Sequence, residues 1–302
     1  MLQPYNVFKA EVVRVNSLYW TTQFCHDRVK SIYSMLATTG VNGADPLVEQ
    51  IWGAQPLGLR RESTNQLSVF FKTLDTNSNS LRATSILHLC SAFENALCGY
   101  FILCALYDGG KLKPSLARNI PDLMRDRSAY TAKKKAVIKL SSEKLKGKYA
   151  DRVKLISNTW GIPQVAIPSI SRLNSYYRNR HLIAHDQGIV GADSPDHSAA
   201  ETVARSLNVD ELSWKKMIED FSLTLESLDD LILNNVITNK GLHLAVYRVA
   251  ERDGPLLVSQ MCKTIREEWR FGSVHRRKVK ICISSMGLTV KGNAADDFTV
   301  SL

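Results

Sequence analysis

Apolar positions along the chain recur mainly at steps of three and four. Ile86, Cys90, Phe93, Leu97, Tyr100 and Cys104 form one such series, and Leu87, Leu89, Phe101 and Leu103 fill much of the remaining circumference. A helix apolar nearly all round is predicted to lie in the centre of a bundle. Asp108-Gly109-Gly110 marks its end. A second series, Trp214, Met217, Phe221, Leu225, Leu228 and Ile232, predicts a long helix from an Asp210 N-cap to about Val236. Its other face carries Glu219, Glu226, Asp229 and Asp230, read here as solvated.

Two further helices are predicted between these. One is basic, follows a break near Pro121, has its best stretch from about Ala132 to Ser157, and is ended by Gly161 and Pro163. The other starts near Pro168-Ser169, carries Ile170, Leu173 and Tyr177, and stops at Gly188 before a loop rich in Gly, Asp, Ser and Pro from Gly191 to Ser198. Four antiparallel helices of these lengths make a bundle over residues 80–237. Residues 1–79 read as an N-terminal helical extension, with a helix from about Ala10 to Leu36, a loop rich in Gly and Pro, and a shorter helix from Gln66 to Leu74. Residues 238–302 read as a small α+β segment. It has a helix near Val258 to Arg270 and a partly alternating strand over Lys278-Val279-Lys280-Ile281-Cys282-Ile283-Ser284. The fold class is therefore mainly α.

Charge changes this picture at one place. The formal net charge is +10, and the segment from Lys111 to Lys154 holds 14 Lys and Arg against 4 Asp and Glu, so that segment carries the whole excess. A localised basic surface concentrates a polyanion and speeds its capture; the plainer reading is a solvated helical face. The longest apolar run, Ala96 to Tyr107, is too short to span a bilayer. Met1 to Lys9 lacks the basic-then-apolar order of a secretory signal. The six cysteines show no CxxC spacing, and three of them lie in the apolar helix, where a reduced cysteine behaves as a small hydrophobe. A cytoplasmic location without a membrane is the expectation.

The chemistry concentrates in Tyr177-Arg178-Asn179-Arg180-His181-Leu182-Ile183-Ala184-His185-Asp186, with two arginines and two histidines inside eight residues. Arginine stays charged and its planar fork matches phosphate oxygens, while histidine titrates near neutrality and moves protons. Such a helix is equipped to act on a phosphodiester. No HExxH pattern, cysteine–histidine cluster or carboxylate set for two magnesium ions stands out, so neither a metal nor another cofactor is expected. Asp193 and Asp196 read as loop residues.

Arg180-His181-Leu182-Ile183-Ala184-His185 resembles the signature of HEPN-domain ribonucleases: an arginine followed by a polar residue, then a histidine, with four to six residues between arginine and histidine, most often as Arg-Asn-x-Ile-Ala-His. Ile183-Ala184-His185 match that form, and His181 takes the polar position where asparagine is commoner. Ala92-Phe93-Glu94-Asn95-Ala96-Leu97 is similar to the family's opening helix, and the resemblance covers roughly Leu81 to Thr238. A second register pairs Arg178 with His185 and puts Asn179 in the polar position. On a regular helix, residues seven apart lie about 20° apart in azimuth and residues five apart about 140°. Arg178, His181 and His185 would then share a stripe, while Arg180 falls with Leu173, Tyr177 and Ala184. The Ile-Ala-His match selects Arg180, which requires either a helix that unwinds near the motif or an arginine that reaches round from an interface.

The resemblance implies a HEPN-like antiparallel bundle and an endoribonuclease working as a homodimer, with two motifs across one cleft. It also implies no metal, and 2′,3′-cyclic phosphate products. His185 is the expected acid/base and Arg180 the expected stabiliser of transition-state charge. Arg178, Asn179, His181 and Glu94 are supporting candidates, Glu94 as an ionic partner for Arg180. Lys133, Lys134, Lys135 and Lys139 are candidate RNA contacts. Such proteins act as toxins or antiviral defence effectors, which adds an antitoxin or defence-system protein to RNA as an expected partner. The alternatives are a non-catalytic RNA-binding module of the same fold and a protein-interaction module in a defence assembly. His26 and His88 read as structural, and Arg276-Arg277-Lys278 as the solvated start of the predicted strand.

Overall fold

In the computed structural model, the described residues are 2–38, 45, 47–48, 66–118, 126–163, 165–185, 189–190, 205–206, 209–237, 240–254, 256–269, 276–286, 289–291 and 299–301. Among them the chain is mainly helical. The helices are α1 (Gln3–Thr38), α2 (Leu67–Tyr107), α3 (Arg127–Lys144), α4 (Tyr149–Trp160), α5 (Ile170–His185), α6 (Glu211–Ile232), α7 (Lys240–Asp253), α8 (Val258–Trp269) and α9 (Arg276–Met286). Short strands β1 (Ile189–Val190) and β2 (Arg205–Ser206) pair antiparallel; β3 (Leu256–Leu257), β4 (Thr289–Lys291) and β5 (Thr299–Ser301) form an antiparallel sheet with β5 in the middle. The predicted break at Pro121, the helix stop at Gly188 and the loop with Asp193 and Asp196 lie outside the described residues.

The chain divides into two compact units that are discontinuous in sequence. Unit 1 comprises Met1–Lys9, Ser91–Tyr177 and Glu219–Leu302; unit 2 comprises Ala10–Cys90 and Arg178–Ile218. The expected border at 79/80 falls inside α2, which runs unbroken for 41 residues. The polar stretch Thr76 to Ser80, beyond the predicted helix end at Leu74, is helical, and its hydroxyls bond back to carbonyls one turn earlier: Thr76 to Lys72, Ser78 to Leu74, Ser80 to Thr76. By length and apolar composition α2 would suffice to cross a membrane, but 61% of that window is buried within the protein, as in a core helix.

Unit 1 is built round a ring cluster. Phe93 and Phe221 stack at 4.2 Å, with Phe8, Tyr149 and Tyr176 edge-on to Phe221. All these rings except Tyr176 are fully enclosed. The predicted stripe of α6 is buried along its whole length. Asp229, expected on the solvated face, is instead buried and accepts the Tyr100 hydroxyl at 2.8 Å and the Leu2 amide at 3.0 Å. These bonds repay part of the cost of removing a carboxylate from water, and burial still pushes its pKa up. At Gly99 an added Cβ would lie 2.8 Å from Pro4 Cγ, so the glycine lets the start of α1 approach α2 closely.

The predicted basic helix is two helices. α3 is capped by Asp126, whose carboxylate accepts the Ala129 amide at 2.9 Å, and Gly147, at φ +90°, lies in the turn before α4. Gly161 ends α4 in the left-handed conformation. The C-terminal segment contains α7, α8 and α9 and the short three-stranded sheet. The strand predicted over Lys278–Ser284 is, however, the helix α9. Val279, Cys282 and Ile283 are buried at helical spacing, while Ile281 is 59% exposed; alternation of Val279, Ile281 and Ile283 only mimicked a strand.

Unit 2 packs α1 from Ala10 onward beside the first half of α2. Tyr19 lies 4.5 Å from the buried Trp214 ring, with Trp20 edge-on at 5.0 Å. Arg82 donates to the Tyr19 hydroxyl at 2.9 Å and to the Val209 carbonyl. Lys30 pairs with Asp75. Asp210 is the predicted N-cap, accepting the Ser213 amide at 2.7 Å, a bond that holds its carboxyl below the usual range.

Candidate active site

α5 carries the motif. Ser169 starts the helix by accepting the Arg172 amide on Oγ at 3.3 Å. Its first half is tied down within unit 1. Arg172 donates through Nε and Nη2 to the two oxygens of buried Asp220, at 2.8 and 3.2 Å, and the Tyr176 hydroxyl donates to the same carboxylate at 2.8 Å. The bond to Asp220 raises the Arg172 pKa, and burial followed by that carboxylate raises that of Tyr176. Asn174 accepts the Ala150 amide.

A second anchor sits at Tyr177, the last residue of unit 1 before the motif. Tyr177 meets Tyr149 edge-on at 5.3 Å, and the Arg152 guanidinium lies over both rings, 5.6 Å from Tyr149 and 5.8 Å from Tyr177. Glu94 completes the group. It accepts the Tyr149 hydroxyl at 3.0 Å and lies 3.8 Å from Arg152. Glu94, the expected partner of Arg180, thus contacts Tyr149 and Arg152, the two residues that flank Tyr177 just before the motif. Arg152, Tyr149 and Asp220 escaped the sequence reading; the one available signal was a carboxylate directly beside the buried stripe residue Phe221.

Through the motif α5 stays an α-helix up to His185, so the unwinding that would realign Arg180 does not occur before that position. Positions 178, 181 and 185 share a stripe, and positions 180 and 185 diverge by about 140°. Arg178 and His181 are exposed; Asn179 and Arg180 are half-buried. Arg180 lies within about 40° of both Leu173 and Tyr176, the two buried positions of the helix. The side chain of His185 is outside the described set.

Of the four lysines expected to contact RNA, Lys134, Lys135 and Lys139 are exposed on α3. Lys133 is not. It is buried, and its ammonium donates to the carbonyls of Leu106 at 3.0 Å and Arg118 at 2.9 Å. It neutralises the carboxyl end of α2, where helix carbonyls lack partners. Burial pushes its pKa down. Lys133 therefore leaves the RNA-contact set.

His88 is exposed beside Glu11 and Arg14. Arg276, Arg277 and Lys278 are exposed at the first turn of α9. Among the described residues no three His, Cys, Asp or Glu side chains gather as metal ligands would, and all six cysteines are free thiols. No family model matches the chain, and neither a curated protein nor a solved structure matches it.

Proposed function

We propose that the protein is a metal-independent RNA endonuclease of HEPN type, acting in the cytoplasm as a homodimer and serving as a toxin or antiviral defence effector. The observation that carries this reading is the motif's setting. A regular helix, anchored by Asp220 and by the Tyr149–Arg152–Glu94 group, delivers two arginines and two histidines in its last two turns. On a regular helix positions 180 and 185 lie about 140° apart in azimuth, which favours a site completed by a second copy over one built by a single helix. In the proposed homodimer a second copy supplies the missing group, with Arg180 of one protomer working together with His185 of the other.

The reaction uses the nucleophile RNA already carries. The 2′-oxygen bonds to the adjacent phosphorus as the bond from phosphorus to the 5′-oxygen breaks. His185 takes the 2′-hydroxyl proton, and an imidazolium returns one to the departing 5′-oxygen. Arg180 lies against the equatorial phosphate oxygens, where negative charge peaks. The products are a 2′,3′-cyclic phosphate and a 5′-hydroxyl. Arg178, Asn179 and His181 hold flanking phosphates, and Lys134, Lys135 and Lys139 gather the polyanion.

The test is RNA cleavage in chelator, with the 3′ ends mapped. Arg180→Ala and His185→Ala are each expected to be inactive as homodimers and to regain activity when mixed, because one Arg180–His185 pair is then intact across the interface. No cleavage by the native protein under dimer-forming conditions, or undiminished cleavage by His185→Ala, overturns the proposal. Salt-sensitive RNA binding without turnover would instead identify a non-catalytic RNA-binding module.

A further inference from the structure

Unit 1 contains a cavity of about 930 Å³ whose lining shares Lys134 alone with the residues of the proposed nuclease. It lies between the first turns of α1, the middle of α2, and facing residues of α3 and α7. Its floor is apolar: Val7, Ile102, Leu103, Leu106 and Val249 line it, with Gly99 at the point where Pro4 crosses α2. One part of its wall is different. Tyr130 and Lys134 from α3 meet Arg248 and Arg252 from α7, with Glu251 as the single carboxylate among the lining residues. With Asp253 on Arg252 and Glu251 beside Arg248, three cations meet two carboxylates and that wall keeps one net positive charge. Arg252 is held by the carboxylate of Asp253, at 2.5 and 2.7 Å. Arg248 is set in place by its neighbours: its guanidinium lies 5.6 Å over the Tyr130 ring, donates to the Tyr130 hydroxyl at 3.2 Å, and lies 3.5 Å from Glu251. Lys134 is exposed at the same wall.

Small-molecule sites are typically cavities of roughly 300–1,000 Å³, mostly apolar, with a few polar groups that fix orientation. A purely apolar ligand would leave the cationic wall unused, and a polyanion would leave the apolar floor unused. We propose that this cavity binds a single-chain aliphatic carboxylate, its alkyl chain along Leu103, Leu106 and Val249 and its head group at Arg248 and Lys134. The guanidinium, set in place by Tyr130 and Glu251, has further N–H donors for a carboxylate head group, and the Lys134 ammonium adds charge at the same wall. The alkyl chain supplies affinity in proportion to the methylenes it buries.

The experiment is titration calorimetry on the full chain with octanoate, decanoate and dodecanoate below their micellar concentrations, and with dodecanol and dodecyltrimethylammonium as head-group controls. Affinity is expected to rise by up to about fourfold per methylene. Dodecanoate is expected to bind at least about tenfold more tightly than either control, the worth of a charge-assisted pair. Arg248→Ala should remove that advantage while leaving dodecanol binding unchanged, and Leu103→Trp should weaken the whole series by filling the floor. If Leu103→Trp does not fold, the exposed Arg248→Ala variant still decides. Equal affinity for all three head groups, an unchanged dodecanoate affinity in Arg248→Ala, or no binding at millimolar dodecanoate overturns the proposal.

Discussion

The two halves of α5 are built from the same kind of helix and do opposite things with it. From Ile170 to Tyr177 the helix is held: Leu173 and Tyr176 are buried, Arg172 and Tyr176 converge on Asp220, and Tyr177 is clasped by Tyr149 and Arg152. From Arg178 to Ala184 no side chain is fully buried: Arg178, His181 and Ala184 are exposed, and Asn179, Arg180, Leu182 and Ile183 are half-buried. The contrast teaches that precision and availability can be divided along one rigid element. A functional group on a helix is positioned by residues one or two turns away, so the groups that act need not themselves be buried.

The sharpest way to break this comparison is to exchange the phenotypes. His185→Ala is expected to reduce RNA cleavage by about 10²–10⁴-fold, the usual worth of an acid/base group, with its melting temperature unchanged. A cleavage loss that merely tracks a lowered melting temperature would mean that the second half of the helix is structural. Phe221→Ala tests the held half. It removes the ring stacked on Phe93 and touched by Phe8, Tyr149 and Tyr176, and should lower unfolding free energy by about 3–5 kcal/mol in denaturant titration.

Tyr176→Phe sharpens the picture further. It keeps the ring against Phe221 and deletes only the hydroxyl on Asp220, so a loss of about 1–2 kcal/mol is expected. A neutral result would show that the carboxylate is satisfied without the Tyr176 hydroxyl. The smallest effect concerns Asp229. Its folded pKa is raised, so the native state holds that proton more tightly than the unfolded chain. The group's contribution to stability is fully present below the unfolded value and lost as pH rises through the folded one. Asp229→Asn stays neutral and can still accept from Tyr100 and Leu2. Its melting temperature relative to the native protein should therefore improve between pH 4 and pH 7; a constant difference across that range would contradict the assignment.

Much of the framework was readable from pattern because its causes are local. The α6 stripe, the Asp210 cap, the end of α2 before Asp108 and the left-handed Gly161 each depend on neighbours a few residues away. Failures came where a partner is distant or a hydroxyl substitutes for one. The helix predicted to stop at Leu74 continues through Thr76 to Ser80, whose hydroxyls bond back to the preceding turn. Asp229 resembles a solvated residue until Leu2, 227 positions away, donates to it. α9 passed for a strand because three β-branched residues alternate over five positions, too few to separate a period of two from one of 3.6. The motif itself was legible as composition, but the support beneath it was not. Glu94, Tyr149, Arg152 and Tyr177 come from three helices and share no spacing that a single sequence displays.

Lys133 gives the chain an internal clock. An acylating reagent meets Lys134, Lys135 and Lys139 directly, whereas the Lys133 amine is reached only when the carboxyl end of α2 comes away from it. Once uncovered, it should react at the rate of an ordinary lysine. Mass spectrometry of the labelled peptide would therefore record, through four lysines in seven residues, how often that corner of the molecule opens, with its immediate neighbours as the zero-time reference.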